Sequence, residues 1–182
     1  MTLAAAARER YLAVAGHIDQ MSRIVEAVAL ELGFNPWRAR SLRAASKLHD
    51  IGKIAIPDLI LLKPAPLTPA ERTIMQRHTL VGFELLADSG DGMLDLAATI
   101  ALSHHERWDG TGYPQRLAAE HIPLEARITA IADVFDALTR ERCYRGPVDV
   151  DAATEIVVAG RGTHFDPQVT DAFVEARSRV LR

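Results

Sequence analysis

The most chemically suggestive stretch of the sequence runs from Ser103 to Pro114 and reads SHHERWDGTGYP. It opens with the adjacent histidines His104 and His105 and continues into a glycine-rich loop. Adjacent histidines at a helix end, followed by such a loop, indicate a metal site beside a substrate opening. Histidine doublets are also common on surfaces, so this interpretation depends on whether other segments supply partners.

Four other segments place a histidine or an aspartate on the inner face or at the end of a predicted helix. These candidates are His17, the pair His49 and Asp50, His78, and Asp133. Judged alone, each histidine is more simply a core residue with one hydrogen-bond partner. Five such histidines in one small domain would each need a partner, and a carboxylate in an apolar helix is costly unless it is paired or metal-bound.

The composition of this ligand set points to particular metals. Imidazole and carboxylate ligands together suit Fe, Mn, Co or Zn, and the lack of thiolate ligands argues against a structural zinc site. Seven candidate ligands are too many for one ion and fit two.

The elements that must position these residues are predicted to be helices. Apolar residues recur at helical spacing, no segment shows strand alternation, and Gly, Pro and Asn punctuate the chain. The sequence therefore predicts an all-α fold of about seven to eight helices. The predicted helices cover about 3–32, 36–49, 68–89, 94–104, 124–140 and 151–159, with a last helix that starts at Asp166-Pro167.

Composition narrows the function classes. The chain has 182 residues, a net charge of -3 and one cysteine, Cys143. This charge gives no bulk electrostatic reason to bind DNA or an anionic membrane, and no apolar run approaches the roughly 18 residues of a membrane span. One cysteine allows no internal disulfide and suits a reducing cytosol. We therefore expect a cytoplasmic protein or module.

Longer motifs extend these short patterns. They are HDIGK at 49–53, His78 followed by Gly82, HHERWDGTGYP at 104–114, IPLEARITAIADVFDALTRERCYR at 122–145 and GTHFDPQV at 162–169. Together they resemble the HD-GYP family, a subgroup of the HD-domain phosphohydrolases. The resemblance covers about residues 12–175, so residues 1–182 are expected to form a single HD-GYP domain with the compact HD-domain helical bundle.

The resemblance implies a metal-dependent phosphodiesterase that degrades the bacterial second messenger cyclic di-GMP at a bi- or trinuclear centre. It implies that one metal would be held by His17, His49, Asp50 and Asp133. The other would be held by Asp50, His78, His104 and His105, with Asp50 bridging the two.

The resemblance also assigns roles around the metals. Lys53 would lie beside a metal-bridging hydroxide and the scissile phosphate, with Asp50 as its catalytic partner. Arg142 and Arg145 would contact substrate phosphate. The hydroxide would attack phosphorus in line to give the linear dinucleotide pGpG, and a second cut would give GMP. The loop that contains Tyr113 is linked in this family to recognition of GGDEF domains.

Two positions depart from the family pattern. Members with a third metal carry a glutamate where this chain has Ala13, and many carry an arginine where it has Gln20. Ala13 therefore predicts a binuclear centre, and Fe or Mn are the expected ions. Family members often follow a receiver or sensor domain, so this chain is expected to be either a stand-alone enzyme or an excised output module.

Two alternatives stay open from the sequence. The domain could act on another cyclic dinucleotide, or it could be a catalytically weak module that binds cyclic di-GMP or docks a GGDEF protein. Smaller questions also stay open: Asp136 could orient a ligand or only pack, and Arg140 could cap a helix or bind phosphate. Glu106 and Asp109 are expected to hold the loop.

Overall fold

The computed structural model describes residues 18–140 and 148–180, with the side chains of 178–180 excepted. The predictions for Ala13, His17, Arg142 and Arg145 therefore lie outside the described residues.

The described chain is helical, as predicted, and its two described ranges contain no β-strand beyond one isolated bridge between Arg161 and Phe165. Two short 3₁₀ helices cover Ile51–Ala55 and Ala119–His121. The α-helices are α1 (18–31), α2 (Pro36–Ser46), α3 (Asp58–Leu61), α4 (Pro69–Gln76), α5 (His78–Leu86), α6 (Gly92–Ser103), α7 (Leu124–Thr139), α8 (Val150–Ala159) and α9 (Pro167–Val180).

Two of the predicted helix starts are confirmed in atomic detail. The Asn35 side chain accepts a hydrogen bond from the backbone N–H of Arg38, and Pro36 follows it at the first helical position. At α4, Thr68 and Glu71 form a reciprocal capping box.

The single helix predicted from Thr68 to about Ser89 is wrong, because the structure divides it into α4 and α5 at Arg77. Side chains of α5 take carbonyl groups from the last turn of α4. His78 Nδ1 lies 2.8 Å from the Met75 carbonyl oxygen, and Thr79 Oγ1 donates to Gln76 at 3.0 Å. Such local side-chain bonds compete with the helical backbone ladder, and here they accompany the break that sets His78 at the start of a helix.

The buried core gathers around α7, which is apolar on several sides. Its buried residues include Ile128, Ile131 and Phe135, and the Phe135 ring meets the Phe173 ring of α9 edge to face at 5.0 Å. Helix α5 packs on α6, and α6 packs on both α2 and α7. Three helix ends, of α2, α5 and α6, thereby meet beside the middle of α7. Among the described helices, none combines the length and apolarity needed to cross a bilayer.

Candidate metal centre and substrate cavity

Three helices bring their candidate ligands to one place. His49 and Asp50 follow α2, His78 begins α5, and His104 and His105 follow α6. Asp50, His78, His104 and His105 each offer a ligand atom, and these atoms lie within 4.8 Å of one another. This quartet is the set that the resemblance to the HD-GYP family implies for one metal.

The orientation of three histidines is fixed by backbone carbonyl groups. His49 Nδ1 lies 2.8 Å from the Ser46 oxygen, and His78 Nδ1 lies 2.8 Å from the Met75 oxygen. His104 Nδ1 lies 3.0 Å from the Ile100 oxygen and 3.1 Å from that of Ala101. A carbonyl can only accept, so each Nδ1 carries a proton and each Nε2 is directed at the cluster. Metal-binding histidines are usually held in this way.

The Asp50 carboxylate lies between two groups of ligands. Its Oδ1 is 3.3 Å from His78 Nε2 and 3.8 Å from His104 Nε2. Its Oδ2 is 3.4 Å from His49 Nε2 and 2.5 Å from Lys53 Nζ. One oxygen thus faces each group, which is the arrangement that a bridging carboxylate needs.

Asp133, in the middle of α7, belongs to the second group. Its Oδ1 lies 3.7 Å from His49 Nε2. His49, Asp50 and Asp133 therefore supply three oxygen or nitrogen donors on the Oδ2 side of Asp50. The fourth expected ligand, His17, lies outside the described residues.

Unsatisfied polar atoms mark where a cation fits. Asp50 Oδ1, His78 Nε2 and His104 Nε2 are buried and have no hydrogen-bond partner among the described residues. Buried polar atoms are normally paired, and each unpaired one calls for an explanation. Three lone-pair donors that converge without a proton between them fit a divalent metal ion.

Burial and charge together set the protonation of the cluster. Burial lowers the pKa values of His78 and His104, and it lowers that of His105 to about 4. These three imidazoles are therefore neutral and competent as ligands near pH 7. For His49, burial is outweighed by Asp133 and Asp50, which raise its pKa to about 10. Burial favours the neutral acid at Asp50 and Asp133, but His49 holds the pKa of each below its usual range.

Close backbone packing brings Asp50 to His78. A Cβ on Gly52 would lie 2.0 Å from the His78 carbonyl oxygen and 2.5 Å from the Gly82 nitrogen. Only glycine permits this approach of the first 3₁₀ helix to α5. Gly52 and Gly82 of the HDIGK and His78 motifs therefore determine the geometry of the centre.

A cavity of about 640 Å³ opens beside the ligands. Besides cluster residues, it is lined by Ile18, Lys47, Ile51, Lys53, Ala137 and Arg140. Lys53 lines this cavity, and its Nζ lies 2.5 Å from Asp50 Oδ2. Arg142 and Arg145, assigned to substrate phosphate, lie outside the described residues.

Tyr113 packs on His105, one of the candidate ligands. Its ring stacks on His105 with centroids 4.8 Å apart and an interplanar angle of 26°. Burial raises the pKa of its phenol, so the hydroxyl remains protonated. Tyr113 also lines a second cavity, of about 660 Å³, which the Gly110–Pro114 segment forms with α4 and α5.

The loop after His105 is held by its own acidic residues, as predicted. Glu106 is buried, and its two carboxylate oxygens accept backbone hydrogen bonds from Gln115 at 2.7 Å and Leu117 at 3.1 Å. Asp109 Oδ1 accepts from the backbone N–H of Thr111 at 2.9 Å. These hydrogen bonds hold the backbone of the loop in shape.

Arg140 was not among the residues assigned to the site from the sequence, although it lines the cavity. The spacing along α7 could have indicated this position. Ala137 lies four residues after Asp133, and Arg140 three residues after Ala137, so the three share one face of the helix. Asp136, which could have oriented a ligand, accepts a hydrogen bond from Arg140 at 2.9 Å.

Comparison with known proteins gives consistent matches. A sequence profile of the HD domain family matches residues 2–169. The chain is 47% identical over 163 residues to the cyclic di-GMP phosphodiesterase response regulator RpfG of Xanthomonas campestris pv. campestris, covering 90% of this chain and 43% of that protein. It is 42% identical over 173 residues to the 3'3'-cGAMP-specific phosphodiesterase 2 of Vibrio cholerae, covering 95% of this chain and 33% of that protein. The chain thus spans less than half the length of either relative.

A solved structure supports the same fold. An HDG"Y"P protein from Bdellovibrio bacteriovorus superposes with a TM-score of 0.68 at 21% identity, over 91% of this chain and 52% of that one. At this identity the likeness concerns the fold. Since the family profile covers most of the chain and the helical architecture agrees, the chain belongs to the HD-domain family, in its HD-GYP subgroup.

Proposed function

We propose that this domain is a metal-dependent phosphodiesterase that hydrolyses cyclic di-GMP. The observation that carries the proposal is the set of three histidines whose Nδ1 atoms are held by carbonyl groups while Nε2 faces Asp50. A relative at 47% identity bears the name of a cyclic di-GMP phosphodiesterase. Together these observations favour an enzyme over a degenerate binding module, which would be expected to have lost ligands.

The centre is proposed to hold two divalent ions, Fe or Mn. The first set of ligands is Asp50, His78, His104 and His105, and the second is His17, His49, Asp50 and Asp133. Bound divalent metals supply Lewis acidity and lower the pKa of a coordinated water. The split of the two Asp50 oxygens between the groups supports a binuclear centre.

The remaining residues handle the substrate. Lys53 places an ammonium group on Asp50 in the cavity, where it would neutralise charge that develops on the phosphoryl oxygens. Arg142 and Arg145 are proposed to contact phosphate, and Tyr113 to form the wall on which a substrate group rests. The product would be pGpG, with GMP after a second cut.

A second candidate substrate is 3'3'-cGAMP. The observation that favours it is the 42% identity to a protein named for that specificity. Both molecules carry two phosphodiesters and differ in one base, so the metal centre does not discriminate between them.

The partners and location follow from the same proposal. We place the domain in the bacterial cytosol, where the messenger is made and degraded. A GGDEF-domain protein is proposed to dock on the Gly110–Pro114 segment, whose Thr111 is exposed. A receiver or sensor domain is the proposed upstream regulator, since one relative is named a response regulator.

The test is hydrolysis by protein reconstituted with Mn²⁺ or with Fe²⁺ under anaerobic conditions. Cyclic di-GMP, 3'3'-cGAMP and their linear products are separated by chromatography. Turnover should fall to background in the His49→Ala/Asp50→Ala double variant, and unchanged turnover would refute the assignment. Elemental analysis should give about two metal equivalents per chain, whereas three would contradict the inference from Ala13.

A further inference from the structure

Arg140 contributes an unusual atom to the cavity beside the metal ligands. It is the residue at the C-terminal end of α7, where the backbone turns from helical to extended, at φ -94° and ψ 146°. Its Nε atom is buried and has no hydrogen-bond partner among the described residues. Asp50 Oδ1, His78 Nε2 and His104 Nε2, which are buried in the same way, offer lone pairs to a metal ion. Arg140 Nε–H, in contrast, can only donate a hydrogen bond.

The guanidinium group is held in place from one side. Asp136, one turn earlier on α7, accepts a hydrogen bond from Arg140 Nη2 at 2.9 Å. The Asp136 side chain is 2% exposed, whereas that of Arg140 is 35% exposed. A buried carboxylate therefore fixes an arginine that still reaches solvent.

The charges around Arg140 leave it as a cation available to the cavity. Lys47 lies 3.3 Å from Asp19, and Lys53 lies 2.5 Å from Asp50. The amino groups of both lysines are therefore already placed on carboxylates. Among the described residues, Arg140 is paired through one nitrogen, Nη2, so its other N–H groups remain for an anion.

We propose that Arg140 binds the second phosphate of the cyclic dinucleotide, the one that is not being cleaved. This inference rests on the proposed function, because a cyclic dinucleotide carries two phosphodiesters and only one can lie on the metal centre. Arginine suits phosphate because it presents several N–H donors in a fixed plane. Asp136 is then a positioning residue for Arg140, and the pair acts in substrate recognition, away from the reacting phosphorus.

The test compares two substrates on the metal-loaded enzyme. Cyclic di-GMP has two phosphates, whereas bis(p-nitrophenyl) phosphate has one and needs only the metal centre. Arg140→Ala should lower kcat/KM for cyclic di-GMP by about 10- to 100-fold. It should leave hydrolysis of bis(p-nitrophenyl) phosphate within about twofold. Arg140→Lys should recover part of the loss, and Asp136→Asn should shift kcat/KM in the same direction by less.

A matched control and a binding measurement complete the test. Arg161 is also an exposed arginine on one aspartate, Asp171, but it lines a different cavity, so Arg161→Ala should change neither substrate. Calorimetry on metal-free protein should show cyclic di-GMP binding about 10-fold more weakly to Arg140→Ala than to the parent.

The outcomes separate the two proposals. Equal loss on both substrates, or no loss on either, would overturn the role of Arg140 and leave the proposed function in place. If the unsubstituted chain cleaved bis(p-nitrophenyl) phosphate but neither bound nor cleaved cyclic di-GMP, the proposed function would be overturned, and with it this assignment.

Discussion

Two carboxylates directly follow histidines of the site, and they have opposite roles. Asp50 follows His49, and Glu106 follows His105. Both Glu106 oxygens accept backbone N–H groups, and the residue is 2% exposed. The Asp50 side chain is 28% exposed, and one of its oxygens is without a hydrogen-bond partner among the described residues. A carboxylate whose two oxygens both accept hydrogen bonds holds the backbone in shape. A carboxylate that faces imidazoles with one oxygen unbonded is available to a metal.

The largest expected effect comes from changing Asp50, the carboxylate that faces the imidazoles. Asp50→Asn replaces a bridging oxygen pair by one oxygen and one NH₂ group, which would direct N–H donors at a metal. Activity should fall by more than the about 10- to 100-fold typical of losing a residue that only supports a ligand. Metal content, measured by elemental analysis, should fall to about one equivalent or less.

Asp95→Asn is the control for that loss. Asp95 is an exposed aspartate in the first turn of α6. Its substitution should leave metal content and activity unchanged. Full metal content in Asp50→Asn would show that Asp50 is not a ligand, and the contrast with Glu106 would then disappear.

The second effect tests the backbone contact that places Asp50. In Gly52→Ala the new Cβ would lie 2.0 Å from the His78 carbonyl oxygen, so the first 3₁₀ helix must move away from α5. Overpacking of this kind costs about 1–3 kcal/mol or more, and the movement should also separate Asp50 from His78. We expect a melting temperature lower by about 5–10 °C in a chain of this size, together with reduced metal content.

Gly92→Ala is a close control, because a Cβ at Gly92 meets no atom within 4 Å. Gly92 begins α6, where alanine is a good helix former. Thermal melting and elemental analysis of both variants separate crowding from the general effect of an added methyl group. Equal behaviour of the two variants would contradict the role given to Gly52.

The third effect concerns Glu106, the carboxylate whose two oxygens both accept hydrogen bonds. Glu106→Gln turns one accepting oxygen into an NH₂ group that faces a backbone donor of Gln115 or Leu117. Leaving one buried donor unsatisfied costs about 1–3 kcal/mol. The free energy of unfolding should fall by that amount in urea titrations, while metal content remains that of the parent.

Exposed Glu120, in the second 3₁₀ helix, provides the matched substitution to glutamine. A loss of metal in Glu106→Gln without a loss of stability would reverse the roles assigned to the two carboxylates.

How much of this site is predictable from sequence follows from the kind of interaction involved. Ligand types, helix ends and caps depend on local spacing, so the all-α fold and the candidate ligands could be predicted from the residues. The grouping of Asp50, His78, His104 and His105 on one metal came from the resemblance to the HD-GYP family, because local spacing does not show which helix ends meet. The break at Arg77 could not be predicted, because it depends on the carbonyl groups that the His78 and Thr79 side chains take.

Contacts between segments far apart in the chain were the other limit. The approach of Gly52 to His78 is a distance between two backbones, and a glycine in the sequence shows only that such an approach is possible. The place of Arg140 depended on whether α7 directs its end into the cavity or into solvent. In both cases the residue type allowed the role, and packing determined it.

The smallest effect concerns a carboxylate near the surface whose two oxygens both accept hydrogen bonds, Glu71 in the capping box of α4. The hydrogen bond from Lys63, with help from Thr68, lowers its pKa from an ordinary 4.5 to about 2. A lowered pKa in the folded state gives stability that is present above pH 4.5 and is lost as the pH falls toward about 2. Glu71→Gln keeps an oxygen for the cap but removes the charge. Its melting temperature should therefore lie about 2 °C below that of the parent at pH 7, and the difference should shrink between about pH 4.5 and pH 3.

Exposed Glu155→Gln on α8 is the comparison, measured by circular dichroism at each pH. A difference that stayed constant with pH would show that Glu71 acts through packing and capping alone. In that case Glu71, like Glu106, would hold the backbone through its hydrogen bonds, and the negative charge of Glu71 would add no stability.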